Sequence, residues 1–177
     1  MDFRLNDEQQ EFQQYCRRFA REVIRPVADK HDREQSVPWD VVKQAREWGL
    51  HGVPQLERLG QDPEGMFGVI YAEEMHWGCA GIALSIAGSG LAAAGIAASG
   101  TPEQVGKWAI ECTGKGKEIK MGAYGVTEAG SGSDVKSLRT TAKLDGDEWV
   151  LNGTKVFITN GGIADGAGVV GDGAPEL

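Results

Sequence analysis

Apolar residues recur near the start of the chain at the spacing of an amphipathic helix. Phe12, Cys16, Phe19 and Val23 stand four, three and four residues apart, so they share one face while Arg17, Arg18, Arg21 and Glu22 fall on the other. Asn6 is placed to cap this helix, with Gln9 at the reciprocal capping-box position and Asp7 and Glu8 in the first turn, where the helix dipole favours anions. Pro26 has no N–H to donate and is predicted to kink the helix or end its regular part. Val37-Pro38-Trp39 opens a second helix, with Val41, Val42, Ala45 and Trp48 on its buried face and Gly49 at its end. Leu50 to Gly60 reads as a connection. Asp62-Pro63-Glu64 opens a third helix, carrying Phe67, Ile70, Tyr71 and Glu74 to Trp77. Its adjacent acids Glu73 and Glu74 diverge by about 100°, so they cannot share one site and read as a solvated charged face.

From Cys79 to Gly100 the chain carries no charged side chain, over a length that would span a bilayer. Ala, Gly and Ser dominate it, which drives insertion into lipid weakly and predicts a helix from Cys79 to Ser99, buried on most sides. Gly88, Gly90 and Gly95 each lower helix propensity by about 1 kcal/mol relative to Ala, which calls for either close packing or room for a ligand. Thr101-Pro102-Glu103-Gln104 caps a further helix to about Cys112, and Gly114-Lys115-Gly116 ends the helical part.

From Lys120 the period changes to that of strands: Met121 to Thr127, Leu138 to Leu144, Trp149 to Leu151 and Thr154 to Thr159, with turns at Asp145-Gly146 and Asn152-Gly153. After Gly162 the pattern collapses into glycine and aspartate, and disorder is predicted from about Ala164. The pattern therefore gives an α+β chain: an N-terminal all-α helical domain over residues 1–119, the beginning of an antiparallel β-domain over 120–163, and a Gly/Asp-rich tail over 164–177.

Charge narrows the partners. With 177 residues and a formal net charge of -8, the chain repels nucleic acid and anionic membrane surfaces at long range. Cys16, Cys79 and Cys112 form no CxxC pair and leave an odd count, which speaks against a disulfide framework or a zinc site. His31, His51 and His76 are isolated and read as structural or surface residues. Met1-Asp2-Phe3-Arg4 leads into polar residues instead of an apolar signal core, which predicts a cytoplasmic protein.

The candidate chemistry lies in Tyr124-Gly125-Val126-Thr127-Glu128-Ala129-Gly130-Ser131-Gly132-Ser133-Asp134. Glycines in such a turn let the backbone approach a ligand and leave N–H groups and hydroxyls free for an anion such as a pyrophosphate; a plain surface loop has the same composition. Downstream, Asn152-Gly153-Thr154-Lys155-Val156-Phe157-Ile158-Thr159-Asn160-Gly161 reads as turn, strand and glycine turn. Taken together, Y-x-V-T-E-x-G-x-G-S-D followed by N-G-x-K-x-x-I-T-N-G resembles the acyl-CoA dehydrogenase family. Asn6-Asp7-Glu8-Gln9 and Gly100-Thr101-Pro102-Glu103-Gln104 add to the likeness, and only the last dozen residues leave it.

The resemblance implies FAD as cofactor, an acyl-CoA thioester as substrate undergoing α,β-dehydrogenation, and an electron-transfer flavoprotein as electron acceptor. It implies Tyr124, Val126 and Thr127 at the pyrimidine end of the flavin ring, and Gly132 and Ser133 at the pyrophosphate, with Ser133 also near the substrate's thioester arm. Phe157 stands where the family most often has Trp and is implied to pack on the flavin, with Ile158 beside it and the Thr159 hydroxyl near the reactive edge. Ala129 replaces a usual Pro, which loosens the turn. Family members are about twice as long, so the resemblance implies a chain truncated before the C-terminal helical bundle. The family's catalytic Glu is then outside it, a fragment of this extent is expected to be inactive alone, and homotetramer assembly belongs to the complete protein. An acyl-CoA oxidase-like flavoenzyme and a non-catalytic scaffold or oligomerisation subunit are the alternatives.

Overall fold

The computed structural model describes residues 4–169. Helix α1 (Asp7–Phe19) starts at the capping box read from the sequence: Asn6 Oδ1 accepts the Gln9 N–H at 2.9 Å and Gln9 Oε1 accepts the Asn6 N–H at 3.0 Å. Phe12, Cys16 and Phe19 are buried beneath it. Ahead of Pro26 the helix widens into a π-helical turn (Ala20–Ile24), then tightens into a 3-10 turn (Arg25–Val27) before α2 (Ala28–Glu34). The missing proline N–H is thus absorbed by a local change of helical pitch. Helix α3 (Trp39–Glu47) buries Val41, Val42 and Ala45. It ends in a Schellman arrangement, with the Leu50 N–H on Ala45 O at 2.8 Å and the Gly49 N–H on Arg46 O at 3.1 Å.

Three expectations change in this part. Leu50 to Gly60 is no mere connection, because Val53–Gly60 forms α4, with Pro54 in its first turn. Helix α5 (Met66–Gly78) starts later than Asp62; the Asp62 carboxylate instead accepts the Phe67 and Glu64 N–H groups from outside the helix. Glu74 is not solvated: it is 1 % exposed and ion-paired with Arg17, whose guanidinium also lies 4.3 Å from the centre of the Trp77 ring. Only Glu73 is on the exposed face.

The uncharged stretch breaks at Gly88 into α6 (Ala80–Ala87) and α7 (Ser89–Ser99). Gly88 and Gly90 flank a serine there, which is where helix propensity is weakest. Among the described residues no single helix is long and apolar enough to cross a membrane. Helix α8 (Pro102–Thr113) carries a full capping box between Thr101 and Gln104, with proline at its first position, and stops at Gly114, φ 76°.

Strand β1 (Gly122–Gly125) pairs with β4 (Gly166–Val169) in parallel, Gly122 opposite Gly166, while β2 (Thr141–Asp145) and β3 (Glu148–Asn152) form an antiparallel hairpin. Strand β4 lies in the stretch where composition predicted disorder. Its glycines leave the backbone N–H and C=O groups free to pair, which sequence pattern undervalues. The parallel pairing is also a departure from a purely antiparallel reading, and residues 170–177 of the predicted tail lie outside the described residues. Thr154 to Thr159 does not form the expected strand, since Phe157 (φ 57°) and Asn160 (φ 63°) interrupt the extended backbone.

By compactness the chain divides into Met1–Ala87 with Lys115–Ile119, and Gly88–Gly114 with Lys120–Leu177. Helices α7 and α8 therefore group with the strands. In the first unit, Arg46 threads inward from α3 and donates to Gly116 O at 2.9 Å and His51 O at 3.3 Å.

Candidate functional site

The two motifs singled out in the sequence lie side by side in the second unit. Past β1 the chain reaches Val126-Thr127-Glu128 and closes a tight turn, in which Glu128 N–H donates to Ser131 O at 2.9 Å and Ser131 N–H donates to Glu128 O at 3.1 Å. Ala129 and Gly130 form its exposed tip. Ser131 is buried and its hydroxyl donates to Asp134 O, which leaves Gly132 and Ser133 exposed on the bend that follows.

The downstream motif runs back along this one. Val156 N–H donates to Thr127 O at 2.9 Å, and Asn160 Nδ2 donates to Gly122 O at 3.2 Å. Lys155 supplies the strongest tie: its ammonium donates to Val126 O at 2.9 Å and to Glu128 Oε1 at 2.8 Å, in an ion pair whose side chains are 11 % and 9 % exposed. The Glu128 carboxylate also accepts the Arg139 N–H at 2.7 Å and the Thr140 N–H at 2.9 Å. Lys155 first, then Thr140 and the Arg139 N–H, hold its pKa down at about 2. Gly153 permits this closure, because a Cβ there would lie 2.1 Å from Thr140 Oγ1.

The structure thus brings Val126 and Thr127 against Lys155 and Val156, the pair that immediately precedes Phe157. Ile158 and Thr159 are half-buried in the turn closed by the Gly161 N–H on Ile158 O. Phe157 is 94 % exposed at positive φ, a combination that is rare for an aromatic side chain and turns the ring outward from the clasp. Tyr124 is half-buried on β1, opposite Gly168 of β4. Sequence reasoning missed Glu128, Lys155 and Asn160 as parts of the site. A lysine two residues past an Asn-Gly turn, read together with the glutamate of the first motif, was the available signal.

Elsewhere His31 Nδ1 lies 2.8 Å from Ser36 Oγ and His76 Nδ1 2.7 Å from Ala72 O, and among the described residues no cluster of three or more His, Cys, Asp or Glu side chains could hold a metal ion. His51 is fully buried, and neither ring nitrogen has a hydrogen-bond partner among the described residues. Burial, then the Arg46 charge, push its pKa down to about 4.

Comparison with known proteins shows the family of both parts of the chain. Residues 6–113 match the family model for the acyl-CoA dehydrogenase N-terminal domain, and residues 123–176 match that for the acyl-CoA dehydrogenase middle domain, a span that runs through the glycine-rich stretch. The short-chain specific acyl-CoA dehydrogenase of Clostridium acetobutylicum is 39 % identical over 168 residues, covering 93 % of this chain and 43 % of that protein. Butyryl-CoA dehydrogenase from Megasphaera elsdenii superposes with a TM-score of 0.74 at 31 % identity, over 93 % of this chain and 44 % of that one. Glutaryl-CoA dehydrogenase from Mycobacterium smegmatis in complex with FADH2 gives a TM-score of 0.78 at 26 % identity, over 94 % and 43 %. A chain in a structure of the electron transferring flavoprotein of Acidaminococcus fermentans gives 0.77 at 30 %, over 93 % and 43 %. This chain spans less than half the length of the curated relatives it matches. From its helical N-terminal part to the clasped motifs that follow, the chain belongs to the acyl-CoA dehydrogenase family.

Proposed function

We propose that these residues form one wall of the flavin site of a FAD-dependent acyl-CoA dehydrogenase. The observation that carries this reading is the Glu128–Lys155 clasp, which holds Tyr124, Val126 and Thr127 beside the segment bearing Phe157, Ile158 and Thr159. The residues fit a flat ring with an anionic tail. Phe157 offers an exposed aromatic face, Gly130 and Gly132 have open space around their backbone, and the Thr127, Ser133 and Thr159 hydroxyls are donors. Bound there, FAD supplies the hydride acceptor for dehydrogenating an acyl-CoA thioester between its α and β carbons.

The chain's own task is then positional. Thr127 and nearby backbone N–H groups would act as donors to the pyrimidine end of the ring, and Phe157 would offer it apolar surface. Gly132 and Ser133 would hold the pyrophosphate, and Ser133 would also serve the substrate's thioester arm. Glu128 is unsuited to removing the α-proton, since its carboxylate is saturated with donors and its pKa is held at about 2. The base comes from outside the two motifs, in keeping with a site that these residues only half enclose. Transfer of electrons to an electron-transfer flavoprotein, homotetramer assembly and a cytoplasmic location belong to the same reading.

The test is an absorbance spectrum of the purified full-length protein, followed by anaerobic addition of butyryl-CoA. Stoichiometric flavin that bleaches with the acyl-CoA is the expected result. A colourless protein that takes up no FAD would overturn the reading in favour of a scaffold subunit.

A further inference from the structure

Helix α7 lays one face along β1 at very close range. Ser89, Ala92 and Gly95 stand three residues apart and meet β1 in order: Ser89 Oγ accepts the Gly122 N–H at 3.0 Å and donates toward Met121 Sδ at 3.9 Å. A Cβ on Gly122 would come 3.1 Å from Ala92 Cβ. A Cβ on Gly95 would come 2.8 Å from Tyr124 Cε2, with Cζ at 3.2 Å and Cδ2 at 3.3 Å. The Tyr124 ring therefore occupies the space that any side chain at position 95 would need.

We propose that Gly95 is a positioning residue of the flavin cradle: its bare backbone seats the Tyr124 ring and so sets how the ring is presented at the site. This rests on the flavin reading given above. Position 95 lies inside an α-helix, where glycine is disfavoured, and its neighbours offer no turn or cap that would require it. The ring edge explains it. Because the clash falls on the outer atoms of a side chain rather than on backbone, Gly95→Ala is expected to push the ring aside and keep the fold.

The measurement is FAD affinity by flavin fluorescence titration on the full-length protein, with the flavin absorbance band and thermal melting recorded alongside. Gly95→Ala is expected to weaken FAD binding by about tenfold and shift the band, with the melting temperature close to that of the parent. In a Tyr124→Ala background the same change is expected to alter affinity by less than about twofold, because the ring it acts through is gone. Gly106→Ala, a helical glycine with open space around it, is the control and is expected to leave affinity unchanged. Equal losses in both backgrounds, or no loss in the parent, overturn the proposal, as does an unfolded Gly95→Ala protein that the double variant does not repair. A parent that binds no FAD overturns the flavin reading itself, whereas a flavin-binding parent indifferent to Gly95→Ala overturns only the role of Gly95.

Discussion

Charge pairing at single residues is where this chain departs most from its surface pattern. The Arg17 side chain is 42 % exposed but that of its partner Glu74 only 2 %, so Arg17→Met strands a buried carboxylate. The expected loss lies between the about 1 kcal/mol of an exposed pair and the about 3–5 kcal/mol of a fully buried one, while Glu73→Gln should stay within about 0.5 kcal/mol; urea unfolding of both variants checks this. His51 makes the opposite case, a base buried without hydrogen-bond partners among the described residues. Its folded pKa of about 4 lies below the ordinary 6.5, so only the unfolded chain takes up the proton between those values. Stability should therefore fall as pH drops from about 6.5 to 4, by up to about 3 kcal/mol, and His51→Leu should flatten that slope. For Glu128 the pKa is depressed to about 2, so its contribution is intact above about pH 4.5 and is lost as pH falls toward 2. Lys155→Met should bring that acid loss to higher pH and lower the melting temperature by several degrees, whereas Lys155→Arg should retain part of the clasp.

Among the elements, those with a complete local signal were legible in the sequence. Both capping boxes, at Asn6 and Thr101, form with the residues that the pattern names, and Thr101→Ala should cost about 1 kcal/mol in chemical denaturation. Helix α4 was not legible, because its Leu56 and Leu59 are too few to give a period and Pro54 reads equally well as a loop residue. The Thr154 to Thr159 segment has β-branched residues at Thr154, Val156, Ile158 and Thr159, and alternation alone predicts a strand. What decides its conformation is Lys155 turning toward Val126 and Glu128, a tertiary tie that local propensity does not contain. The candidate site follows the same division. Tyr124 to Ser133 and Phe157 to Thr159 were readable as motifs, while their mutual placement depends on an ion pair between residues 27 apart.

For the molecule as a whole, the β2–β3 hairpin shows how much of the apolar surface awaits a cover. Leu144 is 60 % exposed, Leu151 52 %, Trp149 46 % and Val150 43 %, and a two-stranded hairpin is marginal without packing on a face. A polypeptide limited to these 177 residues is expected to self-associate and to hold FAD weakly or not at all; light scattering coupled to gel filtration, with flavin absorbance on the same peak, checks both. A monomeric peak carrying one flavin per chain would show that the site closes without further residues.

The parallel pairing of β1 with β4 also bears on when this site can come into being. Gly122 waits for Gly166, which leaves the ribosome 44 residues later, and Asp165, which receives the Met121 N–H at 2.9 Å, arrives just before it. At translation speeds of about 5–20 residues per second the interval is roughly 2–9 s, long compared with helix formation. During that time β1 can rest on α7 and α8 with the edge that β4 will take still unpaired. If these residues hold FAD as proposed, its loading is expected late in biogenesis, and a ribosome stalled within this interval would display a strand open to pairing with other nascent chains.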